Sequence, residues 1–176
     1  MKKALLIIAV VLGSMTAFAQ NLDKNEAKQL KAFLTEGTNA SALKANPKSL
    51  GSIEGVTVSN GHVTAIQWKD KKLTGALDLS GFKALTKVDV SRNHLTSLDV
   101  SDCPALEQLN AGRNKLTEVN LDGCSVLQTL SLYKNRLTDL SLSNAPLLKN
   151  LNISNNLFVE LELNNSYNLQ TLNCQG

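Results

Sequence analysis

Aromatic side chains make up only 4% of the 176 residues, and there are just 10 glycines and three prolines. That scarcity excludes a collagen-like chain, and 43% hydrophobic residues exclude a wholly disordered one. Three cysteines and two histidines sit at no spacing that would hold a zinc ion. No metal or cofactor is expected. An excess of one charge is also missing. Eighteen Lys and Arg face 15 Asp and Glu, a net +3; without Lys2 and Lys3, which lie in a cleavable segment, 16 face 15 and the net falls to +1. Nucleic-acid binding therefore has no support from bulk charge. GxSxG, P-loop, HExxH and paired-carboxylate patterns are absent too. The expected role is not enzymatic.

Long hydrophobic runs are equally scarce. The one candidate, Ala4 to Leu12, is far shorter than the roughly 20 apolar residues a bilayer span needs. It comes after the basic Met1-Lys2-Lys3 and precedes Ala17-Phe18-Ala19, with small residues where a signal peptidase reads. Residues 1–19 are thus expected to be a signal peptide, with Gln20 as the mature start. The protein is expected to be exported, hence secreted, periplasmic or at the cell surface, with no membrane span.

Residues 20–57 read as an N-terminal helical cap and linker. Asp23 suits the helix N-cap, and Glu26 three residues on suits the reciprocal half of a capping box. Ala27, Leu30, Phe33 and Leu34 share one face, Lys24, Lys28 and Lys31 lie elsewhere, and Gly37 is a stop signal. Such a narrow apolar stripe is expected to cover the open end of the next domain, rather than to lie on a membrane.

That domain, residues 58–176, is a repeat. Leu85, Leu106, Leu127, Leu148 and Leu169 are each 21 residues apart. In phase with them run Val88, Leu109, Leu130, Leu151 and Leu172, then Val90, Ala111, Leu132, Ile153 and Cys174. An asparagine column comes next, Asn93, Asn114, Asn135 and Asn156, and then three more apolar columns that begin at Leu95, Leu98 and Val100. A period in this range marks a solenoid, where each unit buries its apolar face only against the next.

The consensus LxxLxLxxNxLTxLxLS resembles the leucine-rich repeat, in a short, internalin-related form of secreted bacterial proteins. It extends backward in looser form through Val63, Ile66, Trp68 and Leu73-Thr74, with Lys71 in the asparagine place and one residue inserted at Gly75-Ala76. Val58 to Thr64 parallels Val90 to Thr96. GVTVSNGHVTAIQW also resembles the plant-type N-terminal cap of such repeats, without its cysteine pair. The resemblance implies an α/β leucine-rich-repeat solenoid, a mostly β horseshoe segment that interacts with proteins or adheres.

The alternation in Val88-Asp89-Val90 is that of a strand. Stacked copies make a parallel sheet on the concave face. The asparagines Asn93, Asn114, Asn135 and Asn156 are expected to form a structural ladder, their amides serving backbone groups at the turn. The second half of each unit is too short for a helix and predicts an extended or short-turn convex side, with the one helix at the N-terminus.

Outward strand positions then form three columns, led by Lys87, Asp89 and Ser91. Candidate partner contacts are Tyr133, the aromatic of these columns, with Arg113 and Lys134 beside it, Arg92 on the same basic ridge, and Asn110 and Asn152. The ligand is expected to be a protein or a glycan. Two readings of the ridge stay open: recognition of an anionic partner, or local pairs Lys115–Glu118 and Arg136–Asp139 of little net worth. His62 and His94 occupy equivalent turn positions and read as variable, exposed residues, whereas Trp68 reads as core. Cys103 and Cys124 share a column that wants a small buried side chain. They read as small hydrophobes, with a disulfide between adjacent rungs as the alternative. Asn39, Asn152 and Asn164 head glycosylation sequons. Beyond Cys174 the sequence holds no capping element, so the C-terminal rung is expected either to pair two copies as a homodimer or to fray.

Overall fold

Asp23 opens the first helix of the computed structural model, which describes residues 22–48 and 53–176. The expected signal peptide and the start at Gln20 lie outside the described residues. Helix α1 (Lys24–Leu34) is capped by the Asp23 carboxylate, which accepts from the backbone N–H of Asn25 and Glu26 at 2.9 and 3.2 Å. These bonds, first that from Glu26, hold the Asp23 carboxyl below the ordinary carboxylate range. The other half of the expected capping box does not form. The Asp23 N–H donates to the Gly61 carbonyl at 2.7 Å, and Glu26 turns inward. A short helix α2 (Asn39–Ala42), which carries no sequence signal of its own, comes after the left-handed Gly37.

Ten strands come next: β1 Val56–Ser59, β2 His62–Gln67, β3 Thr74–Asp78, β4 Lys87–Asp89, β5 His94–Asp99, β6 Gln108–Asn110, β7 Glu118–Asn120, β8 Thr129–Ser131, β9 Asn150–Asn152 and β10 Thr171–Asn173. Seven form one sheet in the order β1-β2-β4-β6-β8-β9-β10, and three form a second, β3-β5-β7. From β2 onward the first sheet is parallel, and from β4 on equivalent residues 21 apart face each other, as Val88, Leu109, Leu130, Leu151 and Leu172 do. The second sheet is the convex wall. Three of its rungs are regular strand, and the later ones are extended chain and turns. Its register shifts between Gly75 and Ala76, where the repeat carries its inserted residue.

One expected rung is something else. Val58 to Thr64 does not repeat the role of Val90 to Thr96: β1 folds back antiparallel onto β2, with Ser59 opposite His62. The reason is the Asn60-Gly61 turn, whose residues have φ of 51° and 79°, the combination a two-residue hairpin demands. The parallel stack therefore begins at β2.

Between the two sheets lies the core, with Leu85, Leu106, Leu127 and Leu148 among its fully buried residues. Each buried leucine contributes about 1.5–3 kcal/mol. At the N-terminal end α1 supplies the cover its stripe predicts, with Leu30, Phe33 and Leu34 buried. Phe33 stacks on Trp68 at 5.6 Å and 8°. Trp68 is wholly buried, and its indole N–H donates to the Glu54 carbonyl at 2.8 Å. Asn39, read as a sequon, is also wholly buried. Its amide donates to the carbonyls of Phe33 and Thr74 and accepts from the Thr74 N–H, all at 3.0 Å. No glycan fits there in the folded chain. Among the described residues no helix is long and apolar enough to cross a membrane.

Candidate functional site

The turn after each concave strand holds the asparagine ladder, and its hydrogen bonds obey one rule. The Asn114 amide donates to the Ala111 carbonyl of its own rung and to the Val90 carbonyl of the rung before, both at 3.0 Å, and accepts from the Leu95 N–H at 3.0 Å. Asn135 repeats this with Leu132, Ala111 and Leu116, and Asn156 with Ile153, Leu132 and Leu137. Asn93 accepts from both Lys71 and Leu73 and donates to Trp68, Val90 and Ser91. With all their donors and acceptors used inside the turn, these asparagines are structural.

On the concave face the register sets Lys87, Gln108, Thr129, Asn150 and Thr171 in one row, and Asp89, Asn110, Ser131, Asn152 and Asn173 in the next. The first row is exposed apart from the half-buried Thr129, and Thr171 donates its hydroxyl to Asn150 at 2.7 Å. The second row is half-buried until Asn173 and partly engaged. Asp89, Asn110 and Asn152 each accept a bond from the N–H two residues on, at 3.0, 3.2 and 3.2 Å. These Asx turns bend the chain out of the strand. A shallow hollow of about 260 Å³ spans Thr129, Ser131, Asn150 and Asn152.

The third row is not the exposed column expected. Ser91, Gly112 and Ser154 are buried, because the Asx turns draw them inward. Ser91 and Ser154 donate their hydroxyls to Asp89 and Asn152 at 2.6 and 2.8 Å. Tyr133 is half-buried, and its ring lies over Gly112, where any Cβ would collide with it. The Arg113 guanidinium stands 5.7 Å from the ring centroid, and its Nε donates to the tyrosine hydroxyl at 3.3 Å. Tyr133 and Arg113 therefore form one held unit. Arg92 and Lys134 are exposed on the neighbouring rungs. Ion pairs among the described residues are Lys44–Glu54, Lys71–Glu54 and His62–Glu26. The local pairs Lys115–Glu118 and Arg136–Asp139 do not form, so that reading of the ridge is corrected.

Three features escaped the sequence. His62 is half-buried, and its Nδ1 lies 3.0 Å from the buried Glu26 carboxylate, which also accepts from the Val63 N–H at 2.8 Å. It is no free variable position; only His94 is exposed. Lys71 above all, and then Lys44, hold the Glu54 carboxyl below its ordinary range. Between α1 and the convex wall lies a cleft of about 780 Å³, lined by Glu26, Gln29, Phe33, Glu36, Asp78 and Lys83. Gln29 bridges it to Asp78 and Ser80. The long-range pairing behind all three has no local signature. Cys103 and Cys124 are buried free thiols, donating to the carbonyls of Leu79 and Val100 at 3.2 and 3.1 Å. Burial pushes them up to about 12 and about 11, which suits small hydrophobes and not reactive thiols. Among the described residues no cluster of His, Cys, Asp or Glu is placed to hold a metal ion.

No protein-family model and no curated protein matches the chain. Among solved structures it is similar to the functional domain of InlJ from Listeria monocytogenes, described as including a cysteine ladder. Identity is 30% over 64% of this chain and 25% of that one, with a TM-score of 0.58. This chain thus spans a quarter of that neighbour's length. Register and likeness together make the fold a leucine-rich-repeat-like solenoid, mostly β with a parallel sheet. The fold is typically non-enzymatic and suggests a protein-interaction module.

Proposed function

We propose that the chain is an exported recognition or adhesion module that binds a protein through its concave face. The observation that carries this reading is the pairing of a flat, neutral, hydrogen-bonding sheet with one held aromatic. The rows from Lys87 and Asp89 offer amides and hydroxyls, while Tyr133 is fixed against Gly112 by Arg113. A rigid tyrosine beside an arginine loses little entropy on docking and is the kind of group that dominates an interface. Asn110 and Asn152 would add polar contacts around it, and Arg92 and Lys134 would flank it. Export rests on residues 1–19 as read from the sequence. Cys103 and Cys124, stacked in one column, would be a two-rung counterpart of the cysteine ladder described for the InlJ domain. The test is affinity capture with the mature chain from Gln20 against surface and secreted proteins. Specific capture should vanish in Tyr133→Ala and survive in Lys28→Ala on the far helix. Capture unchanged by Tyr133→Ala would remove the concave face from the reading.

A second reading is self-association through the last rung. Strand β10 is the edge of its sheet and exposed throughout, with Leu172 at 43% exposure. Light scattering at micromolar concentration should then find a dimer that Leu172→Lys dissociates. Monomers in both samples would end this reading.

A further inference from the structure

Going beyond protein recognition, we infer that the ridge along one edge of the solenoid is a binding row for a linear anionic polysaccharide. The turn places one residue per rung in the left-handed region: Asp70, Arg92, Arg113, Lys134, Asn155 and Gly176, with φ between 54° and 100°. Their N–H groups lock the shape by donating to the next rung, Arg92 to Gly112, Arg113 to Tyr133 and Lys134 to Ser154. The backbone here would be satisfied best by glycine or asparagine, which is what Gly176 and Asn155 are. Yet three consecutive central rungs carry Arg, Arg and Lys. Strain retained in a row at one surface is a sign of use elsewhere than in folding.

The chemistry of the row is consistent with that. Each ladder asparagine is flanked by two exposed positions, so a second row of His94, Lys115 and Arg136 runs beside Arg92, Arg113 and Lys134. Among the described residues none of these six has a carboxylate within 4.0 Å. The acids nearest in the chain are Asp89, engaged by Ser91, and Glu118 and Asp139, which make no ion pair with these cations. Rungs of a parallel sheet repeat at about 4.8 Å, so the cations follow one another rung by rung at a regular interval. Arg113 is already oriented by its bond to Tyr133, leaving its terminal nitrogens for a sulfate or carboxylate. Along the three cationic rungs the edge exposes no large apolar side chain of the kind that anchors a protein partner; Leu157, 58% exposed, comes only on the next rung. A polymer bearing charges and hydroxyls asks only for the cations here and for the amides and hydroxyls of the adjoining sheet.

The test is titration calorimetry of the full chain at physiological ionic strength. Probes are a heparin decasaccharide, which is sulfated, and a polygalacturonate oligomer, which is carboxylated; neutral dextran and a single-stranded DNA oligomer are the controls. Arg92→Asn/Arg113→Asn/Lys134→Asn should weaken binding of at least one anionic glycan by about tenfold or more, as three charge-assisted contacts are lost. The same triple variant should melt no lower than the parent, because asparagine suits the left-handed backbone. Lys115→Gln/Arg136→Gln, free of backbone strain, should weaken binding by a smaller factor. Lys24→Gln/Lys28→Gln/Lys31→Gln removes the same charge from α1 and should leave affinity within about twofold, as distant exposed charges are screened. Equal weakening by the α1 variant, no binding of either glycan, or DNA bound as tightly would each overturn the assignment. Lys115→Gln/Arg136→Gln touches the ridge and none of the concave-face contacts, and capture and glycan binding are read on different probes, so the two readings fail separately.

Discussion

The two ends of the stack hold the same kinds of residue in opposite circumstances. At the first rungs Val88 and Leu109 are each 1% exposed, whereas Leu172, in the same column, is 43% exposed. Val90 and Ala111 are wholly buried, and Cys174 in their column is exposed. The N-terminal end has a cover built from unlike parts: α1, the Asn60-Gly61 hairpin, and Asn39 serving the first convex strand with its amide. The far end presents one more copy of the repeat. A column's chemistry is therefore set by the period, but its energetic weight is set by what stacks above and below it.

The largest test of that contrast is a matched pair of truncations. Leu109→Ala should lower unfolding free energy by about 2–5 kcal/mol, and Leu172→Ala by less than about 1 kcal/mol, both read by urea denaturation. Equal losses would mean that the last rung is as well packed as the middle ones. Next comes the ladder. Asn114→Ala strands the Leu95 N–H, while the Val90 and Ala111 carbonyls keep bonds from Asn93 and Asn135, and should cost about 1–3 kcal/mol. Asn39→Ala should fall in the same range if the cap uses its amide as the ladder does; a negligible loss would separate the two.

A smaller effect belongs to the Asp23 cap. Its carboxyl is held below the ordinary range by the N–H groups of Glu26 and Asn25. The ionised form is thus favoured by the fold, and its stabilisation is complete above the ordinary carboxylate value of about 4. That gain fades as pH falls through the folded value. Asp23→Ala should therefore lower the urea midpoint at pH 7, and the gap to the parent should close on acidification. A gap that holds steady down to pH 2 would contradict the cap. Smallest of all is a difference in reactivity. At pH 8 iodoacetamide should modify Cys174 alone, since burial keeps Cys103 and Cys124 protonated at pKa values of about 12 and about 11. Mass spectrometry should find all three modified after denaturation. Because the folded thiols hold protons longer than free ones, ionisation of the unfolded chain above about pH 8.5 works against the fold.

Much of the solenoid is legible in the sequence because its signal is repeated: seven in-phase columns prescribe strand, ladder and core at once. Alternation places Asn110 and Asn152 in one concave row, where the structure has them. Their Asx turns, which bury Ser91 and Ser154, depend on local backbone bends that alternation does not report. The hairpin escapes because VSNGHVT mimics VSRNHLT, and that likeness outweighs the Asn-Gly pair. Glu26 reads as serving its own helix since capping boxes are local, whereas its actual partners, His62 and Val63, lie more than 30 residues on. Tyr133 stands out as the aromatic of its column; that Arg113 and Gly112 hold it in place needs coordinates.

The ladder has a direction. From Asn114 onward, every asparagine takes one backbone acceptor from its own rung and its other two partners from the rung before, never from the rung after. During synthesis the chain emerges from its N-terminus. Each new asparagine then arrives to find the groups its amide must bond already in place, and none waits for a segment not yet made. A nascent chain stopped one rung short thus keeps every ladder bond it has made, while one that lost its first rung would carry amides reaching for nothing. Time runs along this molecule in the same sense as its sequence.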